Sequence, residues 1–228
     1  MKLELLDAYN IRARLSASII LLAPFAVTFF FIFDEVRSFA TSSVVLFILL
    51  AFTNYVPIMQ RAFSKRRSLR TNYAAQLLYV DNETISTELK KRYYTKLSTL
   101  DSMFSCFENP EDSPAFQSAC ESAVVYLRNK TRDNHLVQEE NINYGFCKNL
   151  LASKVVGIVI SAVCLLFVAV FSCLKYESLS MIPIQNYLAF VTDGILLLFW
   201  IFLVTEKVLE QAGLAYAKTL VSAIDTLE

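Results

Sequence analysis

The chain reads as an all-α membrane protein: four transmembrane helices, with a cytoplasmic helical bundle inserted between the second and the third. Three observations predict this. Of its 228 residues 55% are hydrophobic and the mean hydropathy is positive, more apolar than an ordinary soluble domain. Residues 15–33, 39–59, 155–174 and 182–205 form four runs with little or no charge, each long enough for the roughly 20 helical residues that cross a hydrocarbon core. Between the second and third runs lies a polar block, residues 61–154, whose apolar positions recur at helical spacing.

Charge placement orients these pieces. The formal net charge is zero, from 21 basic and 21 acidic residues, which excludes a polyelectrolyte character. Only Arg37 lies between runs one and two, and only Lys175 between runs three and four. Basic residues stay on the cytoplasmic side, so both termini and the block face the cytoplasm, as in a multi-pass membrane protein. A secretory signal is the competing reading of the first run, since Ser38-Phe39-Ala40 loosely resembles a cleavage site, but the run exceeds the roughly 7–15 apolar residues of a signal core.

In order, residues 1–60 comprise a short interfacial helix, rich in Leu3, Leu6, Ile11, Arg12 and Arg14, and a transmembrane hairpin. Pro24 and Pro57 mark kinks in its two spans. Residues 61–154 continue helically through the basic stretch that contains Arg66, Arg67 and Arg70, a topology or lipid signal that equally suits nucleotide phosphates. Val80-Asp81-Asn82 interrupts the helix, and Asn82 with Glu83 reads as the cap of the next one. That helix interleaves Lys90, Lys91, Arg92 and Lys96 with Tyr93 and Tyr94. Bases that meet phosphates beside rings that stack on nucleobases suit a nucleotide or single-stranded nucleic acid, although helical spacing also offers one of the tyrosines to a core.

The loop around Pro110 and Pro114 precedes a third helix, with Phe116, Cys120, Val124 and Leu127 on one face and Arg128, Lys130 and Arg132 at its end. A fourth passes through Asn141, Tyr144 and Leu150 into the third span, with no interruption stronger than Gly145. Residues 155–205 form the second transmembrane hairpin. In its last span Asn186, Asp193, Trp200 and Lys207 recur every seven residues, a polar stripe that must face protein or water. An intramembrane acid is a functional candidate, so the stripe is a candidate pore or gate lining, with a buried structural hydrogen bond as the alternative. Residues 206–228 continue as a cytoplasmic helix.

What is missing limits the chemistry. Four glycines form no phosphate loop, the single histidine, His135, forms no metal cluster, and no nucleophile–base arrangement stands out, so neither an enzyme nor a cofactor is expected. Five cysteines without a Cys-x-x-Cys pair read as packing residues. No inverted repeat relates the two hairpins, which counts against a transporter.

Leu127-Arg128, Thr131-Arg132-Asp133, Glu140-Asn141, Tyr144-Gly145-Phe146 and Asn149-Leu150, with Tyr9-Asn10-Ile11-Arg12-Ala13-Arg14 and an early span containing Pro24, resemble a family of small bacterial phage-defence membrane effectors. Within that family the stretches resemble the ion-channel effectors of the Hailong anti-phage system. The stretch 80–84 departs from the resemblance, which would place a Gly-Pro-rich turn there. The resemblance implies a homo-oligomeric channel, tetrameric, held shut by single-stranded DNA oligomers that a partner nucleotidyltransferase makes, whose opening stops the infected cell. The residues themselves show a four-span protein whose basic cytoplasmic bundle continues into its spans, the layout a ligand-gated pore requires; with the resemblance, the lead reading is a ligand-controlled, homo-oligomeric channel effector, and a non-conducting anchor or scaffold is the alternative.

Overall fold

A computed structural model describes residues 9–33, 58 and 67–227; among them every regular element is helical. The chain divides into two compact units. Of the described residues, one holds those up to Leu69 together with Gly145–Leu209, the other Arg70–Tyr144 together with those from Glu210 on.

Three described helices are long and apolar enough to cross a membrane: Asn10–Ile32 and Ile184–Leu203, both in the first unit, and His135–Lys175, which begins in the second. The expected second span, 39–59, lies outside the described residues except for Ile58, as do the kink at Pro57 and residues 1–8 of the expected interfacial helix. From Asn10 onward the chain is already helical. A π-helical stretch, Asn10–Leu15, leads without a break into α1, Ser16–Ile32. Arg14 reaches back to Asn10 Oδ1 at 2.9 Å, and Pro24 sits buried inside α1.

The second unit is built around aromatic rings. Asn72 Oδ1 accepts the Ala75 N–H and opens α2, Tyr73–Leu77, so the helix expected to run on from the second span is interrupted at Thr71–Asn72. The next cap also differs from expectation. Asn82 Oδ1 accepts from Thr84 N–H in a turn, whereas Ser86 Oγ accepts from Leu89 N–H and opens α3, Thr87–Leu100. A serine with an extended backbone offers its hydroxyl to an orphan N–H three residues on. Asp101 caps the following 3₁₀ segment, Ser102–Glu108. Ser113, with Pro114 at the first helical position, opens α4, Pro114–Lys130. Phe116, Cys120, Val124 and Leu127 are all buried. They meet Tyr94, Phe104 and Phe107, with Tyr94–Phe116 and Phe107–Phe116 ring centroids 5.7 and 5.1 Å apart in edge-to-face contacts. Such pairs add about 0.5–1.5 kcal/mol each beyond the area they bury.

The helix α5, His135–Lys175, runs 41 residues without interruption; its start belongs to the second unit and its remainder to the first. After α6, Ile184–Leu198, a π-helical stretch Phe199–Leu203 ends in an extended Val204. The expected continuous helix past Thr205 is therefore broken. Thr205 Oγ1 accepts from Val208 N–H at 3.4 Å, and α7, Glu206–Ser222, starts afresh. The end of α7 and the 3₁₀ turn Ala223–Thr226 bury Tyr216, Leu220 and Ile224 in the core of the second unit.

Lys90 is a structural element of this unit. Only 6% exposed, its ammonium donates to the carbonyls of Tyr79 at 2.8 Å, Val80 at 3.3 Å and Asn82, closing the turn that follows α2. Burial lowers its pKa from the ordinary lysine value, with Asp81 pulling the other way. Lys90→Ala takes the ammonium away from all three carbonyls, of which only that of Tyr79 keeps another donor, the Asn82 N–H, and should lower stability by about 1–3 kcal/mol. Lys91→Ala, at an exposed position, should change it by less than about 0.5 kcal/mol. Thermal unfolding of the purified protein followed by circular dichroism separates the two neighbours; equal shifts would refute the carbonyl-clamp role.

Candidate functional site

Two features stand out, one in each unit. The first is a buried polar seam in the membrane-spanning unit. Along α5, Asn149, Ser153, Gly157, Ser161, Cys164, Val168 and Ser172 recur every three or four residues, and all are buried. Small residues at this spacing let helices approach closely in a membrane. Asn186, Ala189, Asp193 and Trp200 come from α6 and its π-helical end, all likewise buried. Asn186 Nδ2 donates to Ser172 Oγ at 2.8 Å. Thr28 Oγ1, from α1, donates to Asp193 Oδ2 at 2.7 Å, and Cys164 lies beside both. Asn149 Nδ2 donates to Ala13 O at 2.8 Å.

At the far end of the seam the Trp200 indole fills the niche that Gly157 leaves, where a Cβ would overlap the ring. Lys154 Nζ donates to Ile201 O at 3.0 Å and Val204 O at 2.7 Å, a cation on the unsatisfied carbonyls of a helix C-terminus. Ser153 Oγ, Ser161 Oγ, Asp193 Oδ1 and Trp200 Nε1 are buried without a hydrogen-bond partner among the described residues. All four line this seam.

The expected stripe is thus divided. Asn186, Asp193 and Trp200 share a face, and that face is turned toward α1 and α5 of the same chain. Lys207 lies past the extended Val204, exposed on α7. Thr28, Lys154, Gly157, Ser161, Cys164 and Ser172 escaped the sequence reading. The Asn149, Ser153, Gly157, Ser161 interval of four was the signal that could have found Gly157 and Ser161.

The second feature is the basic surface of the other unit. Arg66 lies outside the described residues, as does the side chain of Arg67; Arg70 is exposed. Of the central cluster, Lys90 is committed to carbonyls. Tyr93 and Tyr94 are buried, with Tyr94 Oη donating to Leu78 O at 2.6 Å; burial raises the pKa of both hydroxyls. Lys91 and Arg92 stay exposed. Arg92 pairs with Asp225 and lies over the Tyr93 ring, and Lys96 Nζ donates to the Asp225 carbonyl at 3.1 Å.

Arg128 lies over the ring of Tyr216, 5.8 Å from its centroid. Lys130 lies over Tyr126 at 5.7 Å, and Arg132 is exposed in the turn after α4. The second and third basic clusters therefore both abut α7 and its 3₁₀ end, at positions roughly 13 Å apart along the helix by a 1.5 Å rise per residue. Burial pushes the Cys120 thiol up to about 12, which makes it inert. Among the described residues no group of His, Cys, Asp and Glu is arranged to hold a metal.

Trp200 is the only tryptophan, so intrinsic fluorescence reports on the seam. Gly157→Ala forces the indole out of its niche and should change its emission maximum, with a stability loss of about 1–3 kcal/mol from overpacking. Gly194→Ala meets nothing closer than Leu165 at 4.0 Å and should leave emission unchanged. Emission scans of both variants in detergent test the pair; an unaltered Gly157→Ala spectrum would refute the close contact.

Compared with family models, curated proteins and solved structures, the chain matches none.

Proposed function

We propose that the chain is a ligand-controlled membrane effector. Its helical bundle binds a nucleotide or a single-stranded DNA oligomer, and its spans assemble into a symmetric homo-oligomeric ion channel that the ligand holds closed. The reading extends to bacterial anti-phage defence of the abortive-infection type, with the ligand supplied by a partner nucleotidyltransferase and both termini on the cytoplasmic side of the inner membrane. Its main support is α5: one uninterrupted helix is part of the bundle at one end and a candidate span at the other, so a change in the bundle has a covalent route to the membrane. The exposed bases Lys91, Arg92, Arg128, Lys130 and Arg132 supply cations for phosphates. Ion passage calls for several copies, because one chain closes its polar stripe against its own helices.

A second reading, a non-conducting anchor that recruits a soluble partner, is favoured by that same closure: Asp193, Asn186 and Trp200 are enclosed within the chain and line no open path. Liposome ion flux with purified protein decides between the two. Flux that a short single-stranded DNA oligomer suppresses supports the channel; no flux with or without oligomer supports the anchor.

For the ligand, changing Lys91, Arg128 and Arg132 together to Ala should weaken oligomer binding and lower the slope of log affinity against log salt by roughly 2, at about 0.7 per phosphate contact for a single strand. Fluorescence anisotropy across a salt series measures both. Salt-independent binding would remove the nucleic-acid ligand.

A further inference from the structure

Asp193 is the tenth of the twenty residues in the candidate span Ile184–Leu203, and its side chain is 0% exposed. An ionised carboxylate isolated from water in a low-dielectric interior is too costly to persist: it is paired with a cation or neutralised. Among the described residues no Lys, Arg or His pairs with it. Residues 15–33, 39–59, 155–174 and 182–205 contain no Lys, Arg or His, and Asp193 is their only Asp or Glu. The groups packed against it are Thr28 from α1 and Cys164 from α5, neither of them a cation. Thr28 satisfies Oδ2, while Oδ1 is buried without a partner among the described residues. Ser161 Oγ, one helical turn along α5 from Cys164, is buried and unpartnered as well.

We propose that Asp193 is the anchor of an intramembrane binding site for one small monovalent cation, a proton or a sodium ion, received at Oδ1 with the Thr28 hydroxyl on the other carboxylate oxygen. The charge arithmetic selects the class: one carboxylate balances one positive charge. Hard oxygen groups without a His or Cys cluster suit a proton or an alkali ion rather than a transition metal. The site depends on the spans lying in a bilayer and not on the ligand or channel reading above.

The test is infrared spectroscopy of the protein in proteoliposomes at neutral pH, with and without aspartate labelled with ¹³C at its carboxyl carbon, run in sodium and in choline buffers beside thermal unfolding in the same buffers. A protonated-carboxyl band that shifts with the label and vanishes in Asp193→Asn identifies the proton. Its frequency should move in Thr28→Val, where the hydrogen bond to Oδ2 is lost. No such band, with unfolding at higher temperature in sodium than in choline for the wild type and not for Asp193→Asn, identifies sodium. The labelled wild-type spectrum stands by itself if the Asn variant does not fold. Absence of both signals overturns the site.

Discussion

Hydrocarbon offers no water to a carboxyl group or to a helix end, and this constraint explains the arrangement of the membrane-spanning unit. Every polar side chain in its seam sits on a face turned toward another helix. Asn186 finds Ser172, Asp193 finds Thr28, Asn149 finds a carbonyl on the first helix, and Lys154 finds the carbonyls at the end of α6. Close approach makes these bonds possible, and it depends on α5 presenting Ser153, Gly157 and Ser161 where bulkier side chains would hold α6 away. Packing and polar satisfaction are one device here, because widening the seam lengthens its hydrogen bonds together.

The other unit solves a comparable problem by different means. Its turns leave carbonyls that no helix satisfies, and a buried ammonium gathers them. Lys90 occupies the α3 position that also aligns with Tyr94 and Leu97, on the face directed at the core. Its neighbour Lys91 points outward. One basic run therefore contains two kinds of residue, one that holds the fold and others that are available to a ligand.

Much of the architecture was legible. Three of the four apolar runs correspond to helices able to span a membrane, the Phe116-Cys120-Val124-Leu127 face is the buried face of its helix, and the passage from Tyr144 into the third run is one continuous helix. The misplaced features share a cause: they are decided by tertiary partners rather than by local composition. Lys90 looked like part of a solvated cluster because nothing in its immediate neighbours reveals three carbonyls waiting ten residues upstream. The break at Val204 carries neither Gly nor Pro; its trace is Thr205, a cap residue hidden at the end of an apolar run. The polar stripe was visible at its period of seven, but its direction was not, since the Thr28 that receives Asp193 lies on a span 165 residues earlier.

That separation bears on biosynthesis. A helix with an acid at its centre gives up about 2.5–3.5 kcal/mol of insertion free energy, and the hydroxyl that meets this acid is already made when the acid emerges. At about 5–20 residues per second, the 165 residues between Thr28 and Asp193 correspond to roughly 8 to 33 seconds of translation. The face that meets the acid, with Ala17, Ser18, Leu21, Leu22, Pro24 and Thr28, is thus complete before the span that carries the group the lipid disfavours.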